Sequence, residues 1–287
     1  MHKCRICGWT GEAELLTIRE MMYNTRDEFQ YFECASCHCL QITEVPDNLG
    51  DYYQNTYYSY KPPKGTDKKE TDKLVSTRVL DVGCGSGVHL CELADLGYVN
   101  LTGCDPFIEQ DIVYENGVKI YKRDVHDMTG QYDWINLKDS FEHVTDPHEV
   151  MDSLKRLLAP GGAIRMSLPV HPNIAFDSFG VHWYQLDAPR HIFIHTKQSL
   201  EYLAENHGLK IVKKEYDSRE GQIICSYLYS KDIPYIEQTS EVILRHFSDA
   251  EIDRLKQIKD VANSNEYGDH AVFYFTHKAE DEYGSKI

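Results

Sequence analysis

Val79-Leu80-Asp81-Val82-Gly83-Cys84-Gly85-Ser86-Gly87 is an apolar run that ends in an acid and then breaks into three closely spaced glycines. Such a run predicts a buried parallel strand turning into the start of a helix, the place where an α/β sheet takes hold of a nucleotide-like ligand. Glycine has no Cβ, so it permits the tight bend and lets a ligand lie against bare backbone. A dinucleotide fingerprint would place its third glycine at position 88, where this chain has Val88. A nicotinamide dinucleotide therefore fits the bend poorly.

Downstream of the bend the pattern alternates between helix and strand. Residues 88–96 predict a short helix closed by Gly97. Leu101-Thr102-Gly103-Cys104-Asp105-Pro106 reads as a second strand ending in an acid. An acid at that strand end, about 20 residues past the glycines, accepts both hydroxyls of a ribose. Residues 120–125 and 132–140 read as the third and fourth strands. Asp146 then makes a good N-cap and Pro147 suits the first helical position, with Val150, Leu154 and Leu157 forming one apolar stripe. Leu158-Ala159-Pro160-Gly161-Gly162 stops that helix before a fifth strand at 163–168. Further on, 209–214 and 222–229 read as strands, Ser248-Asp249-Ala250-Glu251 as a capping box opening a helix, 271–276 as a last strand and 279–287 as a frayed tail.

Four stretches, namely the acid and glycine run, the strand-end acid, Glu142-His143-Val144-Thr145-Asp146-Pro147 and the Pro-Gly-Gly turn, resemble in order and spacing the class I S-adenosylmethionine-dependent methyltransferases. The resemblance implies a Rossmann-like α/β sheet with helices on both faces across residues 76–278. It also implies a set of cofactor contacts. Asp81 would hold the amino acid end, Gly83, Cys84, Gly85 and Gly87 would form the bend beneath it, and Asp105 with Pro106 would meet the ribose. Asp124 and Val125 would meet the adenine, and Asp139, Ser140 and His143 would stand at the mouth.

Ahead of the sheet, Cys4-Arg5-Ile6-Cys7 and Cys34-Ala35-Ser36-Cys37 are two Cys-x-x-Cys knuckles with 26 residues between them. Two knuckles supply four sulfurs, which suits a closed tetrahedral zinc site formed by Cys4, Cys7, Cys34 and Cys37. Residues 1–45 are therefore expected to be a small zinc-ribbon-like module whose metal is structural. Cys34 to His38 also spells a c-type haem attachment sequence, but the upstream knuckle favours zinc. Residues 46–75 form a bridge, beginning with five tyrosines among residues 51–60 and continuing as a charged Pro- and Gly-containing linker. Those tyrosines either pack one domain on the other or, as the resemblance implies for Tyr57, Tyr58 or Tyr60, fold over the cofactor or substrate.

Composition narrows the partners. The chain of 287 residues carries 30 basic and 46 acidic side chains, a net charge of −16, which opposes phosphate tracking along a nucleic acid. No run of 18 apolar residues predicts a membrane span, and the residues after Met1 lack a signal peptide, so a cytoplasmic protein is expected. A compact small-molecule acceptor is expected in place of a polymer, and monomer and homodimer both stay open.

The long aperiodic stretch from Pro169 to Thr196 reads as a substrate loop rich in acid–base groups. Its end, residues 183–196, resembles a signature of sugar-directed bacterial methyltransferases that also carry an amino-terminal zinc module. His191 is the candidate general base, with His182 and Asp187 as reserves and Arg190 either as an anion fork or in a structural ion pair. The acceptor implied is a hydroxyl of a nucleotide-linked or otherwise activated sugar in glycan biosynthesis. Sugar carbon-methyltransferases with such a module carry a large additional domain, so the chain's length favours oxygen. A quinone precursor, secondary metabolite or phosphoramidate group is the alternative acceptor. A non-catalytic zinc-bearing interaction protein is a further alternative, opposed by the intact Asp81, Gly83, Gly85 and Asp105.

Overall fold

The computed structural model describes residues 1–53, Pro63 and 75–278, and the chain divides into two compact units. Tyr57, Tyr58 and Tyr60, most of the linker and the tail at 279–287 lie outside the described residues. The first unit gathers Met1–Tyr52, Leu168–Tyr202 and Lys214–Val272; the second gathers Tyr53–Ser167, Leu203–Lys213 and Phe273–Ile287.

The chain begins in the first unit with a two-residue hairpin, β1 (His2–Lys3) and β2 (Thr10–Gly11), around the first knuckle. β3 (Leu15–Arg19), β4 (Glu28–Glu33) and β5 (Leu40–Ile42) follow as an antiparallel meander. β4 ends where the second knuckle begins, so the second cysteine pair sits at a sheet end.

The second unit is built on β6 (Val75–Val82), α1 (Val88–Asp95), β7 (Tyr98–Cys104), β8 (Ile112–Val113), β9 (Lys119–Tyr121), β10 (Tyr132–Lys138), α2 (Pro147–Leu157) and β11 (Leu158–Pro169). The helix α2 starts as its sequence predicts, with Asp146 accepting hydrogen bonds from the His148 and Glu149 amides at 3.0 and 3.1 Å. Val79, Leu90, Cys91, Leu101, Val118 and Ile120 form one buried cluster that fixes α1 against β6, β7 and β9. Each fully buried Leu or Ile there contributes about 1.5–3 kcal/mol.

After β11 come α3 (Ile174–Phe179), β12 (Phe193–Ile194), α4 (Lys197–Asn206), β13 (Leu209–Tyr216), α5 (Glu220–Ser230), α6 (Ser240–His246), α7 (Asp249–Ser264) and β14 (His270–His277). The large sheet runs in the order β13-β14-β11-β10-β6-β7-β9-β8. Its core strands β11, β10, β6, β7 and β9 are parallel, with α1 linking β6 to β7 and α2 linking β10 to β11, and helices flank it. This is the expected α/β Rossmann-like architecture.

Two local outcomes differ from the sequence pattern. Residues 222–229, expected as a strand, lie inside α5. Adjacent Ile223 and Ile224 with two tyrosines imitate a strand, but Ile224 and Leu228, four apart, are buried together with Ser226 and Tyr229, the spacing of a helix face. The long stretch after β11 also packs with the amino-terminal residues: Phe193 pairs with Gln41 and Ile194 with Leu40, which makes β12 the fourth strand of the small sheet. A two-residue pairing of this kind has no sequence period by which to announce itself.

Candidate functional site

Register alone brings most of the predicted cofactor residues of the second unit to one edge of the sheet. Val82 is opposite Cys104, Cys104 opposite Tyr121, and Val82 opposite Leu137. The parallel strands β6, β7, β9 and β10 therefore deliver Gly83, Asp105, Asp124 and Asp139 at their carboxyl ends, where ligands bind in open α/β sheets.

The bend after β6 requires glycine. Gly83 has φ +69°, and a Cβ there would lie 2.7 Å from Ser140 Cβ; Gly87 has φ +77°, and a Cβ would meet Ile120 Cδ1 at 2.3 Å. Ser140 itself donates from Oγ to the Val82 carbonyl at 3.1 Å, tying the exit of β10 to the bend. Asp105, 5 % exposed, accepts from the Gly85 amide at 2.9 Å with one oxygen and from the Phe107 amide at 2.9 Å with the other. Burial raises its carboxyl pKa while those amides pull it down. With the Ile108 amide also acting on it, at most three of its four lone pairs are engaged, so the carboxylate is oriented and still able to accept a ligand hydroxyl.

The neighbours are less buried. Asp124 caps a 3₁₀ turn that contains the buried Val125, accepts from the His126 amide at 3.3 Å and is half exposed. Asp139 has φ +51° and donates its amide to the Ser167 carbonyl. His143 Nδ1 is 3.1 Å from the Tyr53 hydroxyl, and the Tyr53 ring lies nearly parallel to that of Phe107. Pro106 and Cys84 stand in the same two loops as Asp105 and Gly83.

Asn136 is a site residue that sequence reasoning missed. It is fully buried in β10, opposite Asp81, and donates from Nδ2 to Asp81 Oδ1 at 2.6 Å. The signal was present as a lone amide between the apolar Ile135 and Leu137, in the buried middle of the strand.

In the first unit, His191 is 6 % exposed and its Nδ1 lies 2.7 Å from the Gln185 carbonyl. A carbonyl can only accept, so Nδ1 carries the proton and, in the neutral ring, Nε2 carries the lone pair. The His191 carbonyl accepts from the Tyr31 hydroxyl at 2.8 Å, which fastens it to β4. Asp187 is held differently. Arg190 donates to both its oxygens, at 2.9 and 2.5 Å, and also to Glu20 Oε1 at 2.9 Å and the Tyr52 carbonyl at 3.1 Å. Arg190 and Glu20 are fully buried, so of the two roles open to Arg190 the structure displays the structural ion pair. Glu20, a single acid after β3, had no distinguishing sequence signal. His182 sits in a 3₁₀ turn with its imidazole pKa lowered, first by burial and then by Arg19.

The four knuckle cysteines converge. Cys4 Sγ lies 3.7 Å from Cys37 Sγ, Cys7 Sγ lies 3.5 Å from Cys34 Sγ, and all four sulfurs fall within 4.8 Å of one another. A zinc–sulfur tetrahedron with bonds of about 2.3 Å has edges of about 3.8 Å, so the set fits the ion. Backbone amides of Ile6, Cys7, Ser36 and Cys37 point at the Cys4 and Cys34 sulfurs at 3.4–3.5 Å, as bound thiolates require. His38 turns away to Glu33 Oε1 at 2.9 Å.

A family profile described as a methyltransferase domain matches residues 55–214, more than half of the chain. The chain belongs to this family. Within it, the chain is similar to a ubiquinone biosynthesis O-methyltransferase of Pseudomonas aeruginosa, 33% identical over 105 residues, which is 33% of this chain and 45% of that protein. A protein with the same description from Bordetella avium is 35% identical over 106 residues, covering 33% and 43%. The chain thus spans less than half the length of these curated relatives. Among solved structures, an O-methyltransferase of a trans-AT polyketide synthase multienzyme from Brevibacillus brevis, in complex with S-adenosyl-L-homocysteine, aligns over 70% of this chain and 67% of its own. Its identity is 16% and its TM-score 0.42. Among the described residues, no helix is long and apolar enough to cross a membrane.

Proposed function

We propose that the protein transfers a methyl group from S-adenosylmethionine to a hydroxyl of a small polar acceptor. The observation that carries this reading is the edge formed by the Gly83–Gly87 bend and Asp105. It offers backbone without side chains beside a carboxylate oriented by two amides, a cradle that suits an adenosyl amino acid. Asp81 would hold the amino acid end, Asp105 the ribose, and Asp124 and Val125 the adenine; Tyr58, outside the described residues, is a further candidate contact.

The cofactor supplies a sulfonium that is already a good leaving group, so the protein's own task is positioning and proton removal. Holding the acceptor in line is worth about 7–11 kcal/mol of barrier. A hydroxyl acceptor must also lose its proton, and His191, whose Nδ1 is committed to the Gln185 carbonyl, is the proposed base. The acceptor favoured by the stretch at 183–196 and its zinc module is a nucleotide-linked sugar. The names of the relatives favour an oxygen of a quinone precursor. Incubation with labelled cofactor and a panel of both acceptor classes, followed by mass spectrometry of the product, separates them.

Replacement of Asp105 by alanine tests the cofactor half of the proposal. Two charge-assisted hydrogen bonds to ribose are lost, so the affinity for S-adenosylhomocysteine is expected to fall about 100-fold by calorimetry. Undiminished affinity in a variant that melts like the parent would remove Asp105 from the site.

A further inference from the structure

Three adjacent parallel strands place Arg165, Asn136 and Asp81 in one row across the sheet: Asn136 is in register with Arg165 on one side and with Asp81 on the other. The row is a continuous hydrogen-bond chain. Arg165 Nη1 donates to Asn136 Oδ1 at 3.1 Å, and Asn136 Nδ2 donates to Asp81 Oδ1 at 2.6 Å. The guanidinium can only donate and the ionised carboxylate can only accept, so the amide between them has one permitted orientation. A flipped amide would set its oxygen against the carboxylate and its NH₂ against the guanidinium.

The chain answers a problem posed by the sheet. Asp81 is 3 % exposed and Asn136 is fully buried. A carboxylate removed from water tends to take up a proton, and a protonated Asp81 would no longer attract a cationic ligand group. Burial does raise the Asp81 pKa; the Asn136 hydrogen bond opposes that shift most strongly, followed by His89, Lys138 and Arg165. The Cys84 and Cys104 thiols lie alongside and, where ionised, would push the other way.

We propose that Asn136, oriented by Arg165, is a positioning residue that keeps Asp81 ionised and aimed at the α-ammonium group of the cofactor's amino acid end. This rests on the S-adenosylmethionine reading of the site. Asn136 touches no ligand; it acts through Asp81.

The sign of the pH effect follows. Binding of the ammonium requires ionised Asp81, so affinity is lost as pH falls through the Asp81 pKa. Removal of the Asn136 hydrogen bond raises that pKa further, and the loss then begins at higher pH. Calorimetric titration with S-adenosylhomocysteine between pH 5 and pH 9 is therefore expected to show near-parental affinity for Asn136→Leu at the alkaline end. The deficit should widen to about tenfold as pH falls, the size of one charge-assisted hydrogen bond. Arg165→Met should shift the profile the same way by less, and it serves if the leucine variant does not fold. Asp81→Asn should flatten the pH dependence. A deficit equal at every pH would make Asn136 a packing residue and overturn the proposal. The ¹³C titration of the Asp81 carboxyl in cofactor-free protein provides an independent check: it should move upward in Asn136→Leu, and an unchanged titration also overturns the relay. If the parent protein does not bind S-adenosylhomocysteine, the cofactor reading fails, while the ¹³C titration still decides the relay.

Discussion

Cys34→Ser is expected to cost the protein its amino-terminal module, with loss of one bound zinc per chain by atomic absorption and a large fall in melting temperature. The scale comes from zinc itself, since apparent binding free energies of about 10–16 kcal/mol are folding free energy for modules too small to hold a core. The knuckle segment itself has little other support: β1 and β2 are two residues each, and both knuckles close on the same four sulfurs. The damage should spread within the first unit, because the knuckle is bonded to its neighbours. Gln41 donates to Cys4 Sγ at 3.1 Å, Thr196 Oγ1 donates to the Cys37 carbonyl at 2.7 Å, and Gln198 donates to the Ser36 carbonyl at 2.9 Å. The α4 N-terminus and the β5–β12 pairing would therefore loosen with the metal. A strong chelator should reproduce the effect in the parent protein and zinc should reverse it. A variant that melts like the parent, or a purified protein without stoichiometric zinc, would show that the four thiols stand alone.

This dependence explains which features could be read from the chain and which could not. The bend at Gly83, the strand-end Asp105, the Asp146 cap and the knuckles are local signals. Each is written in residues a few positions apart, because the constraint it meets is a backbone angle, a cap or a chelate bite. Long-range pairings are of another kind. That Arg190 would be buried against Glu20, or that Phe193 and Ile194 would complete a sheet begun at Leu15, depends on segments far apart in the chain meeting in space, 170 residues apart for Arg190 and Glu20. Asn136 lies between these cases. A polar residue in a buried strand announces that it needs a partner, but only the register of β10 against β6 and β11 says that the partners are Asp81 and Arg165. Residues 222–229 show the opposite failure, a β-branched local signal overruled by the packing of Ile224 and Leu228. The bridge tyrosines, including Tyr58, remain a proposal from sequence resemblance.

His191→Asn is expected to lower kcat by about 10²–10⁴-fold, the usual contribution of a well-placed general base, with little change in cofactor affinity. Asparagine is the informative replacement because its amide nitrogen falls near the imidazole Nδ1 position and can keep the bond to the Gln185 carbonyl. The buried anchor survives and only the basic nitrogen is lost. The surroundings of His191 support the assignment of roles. Nδ1 is committed to Gln185, the backbone carbonyl is held by Tyr31, and Asp187 Oδ2 is 3.8 Å from Nε2 while Arg190 neutralises that carboxylate. Asp187 is thus better suited to orient Arg190 than to take a proton itself. Asp187→Asn should accordingly act mainly on stability, through the loss of a buried ion pair. If the variant keeps most of its rate, another group removes the proton, and His182 is next to be tested by the same measurement.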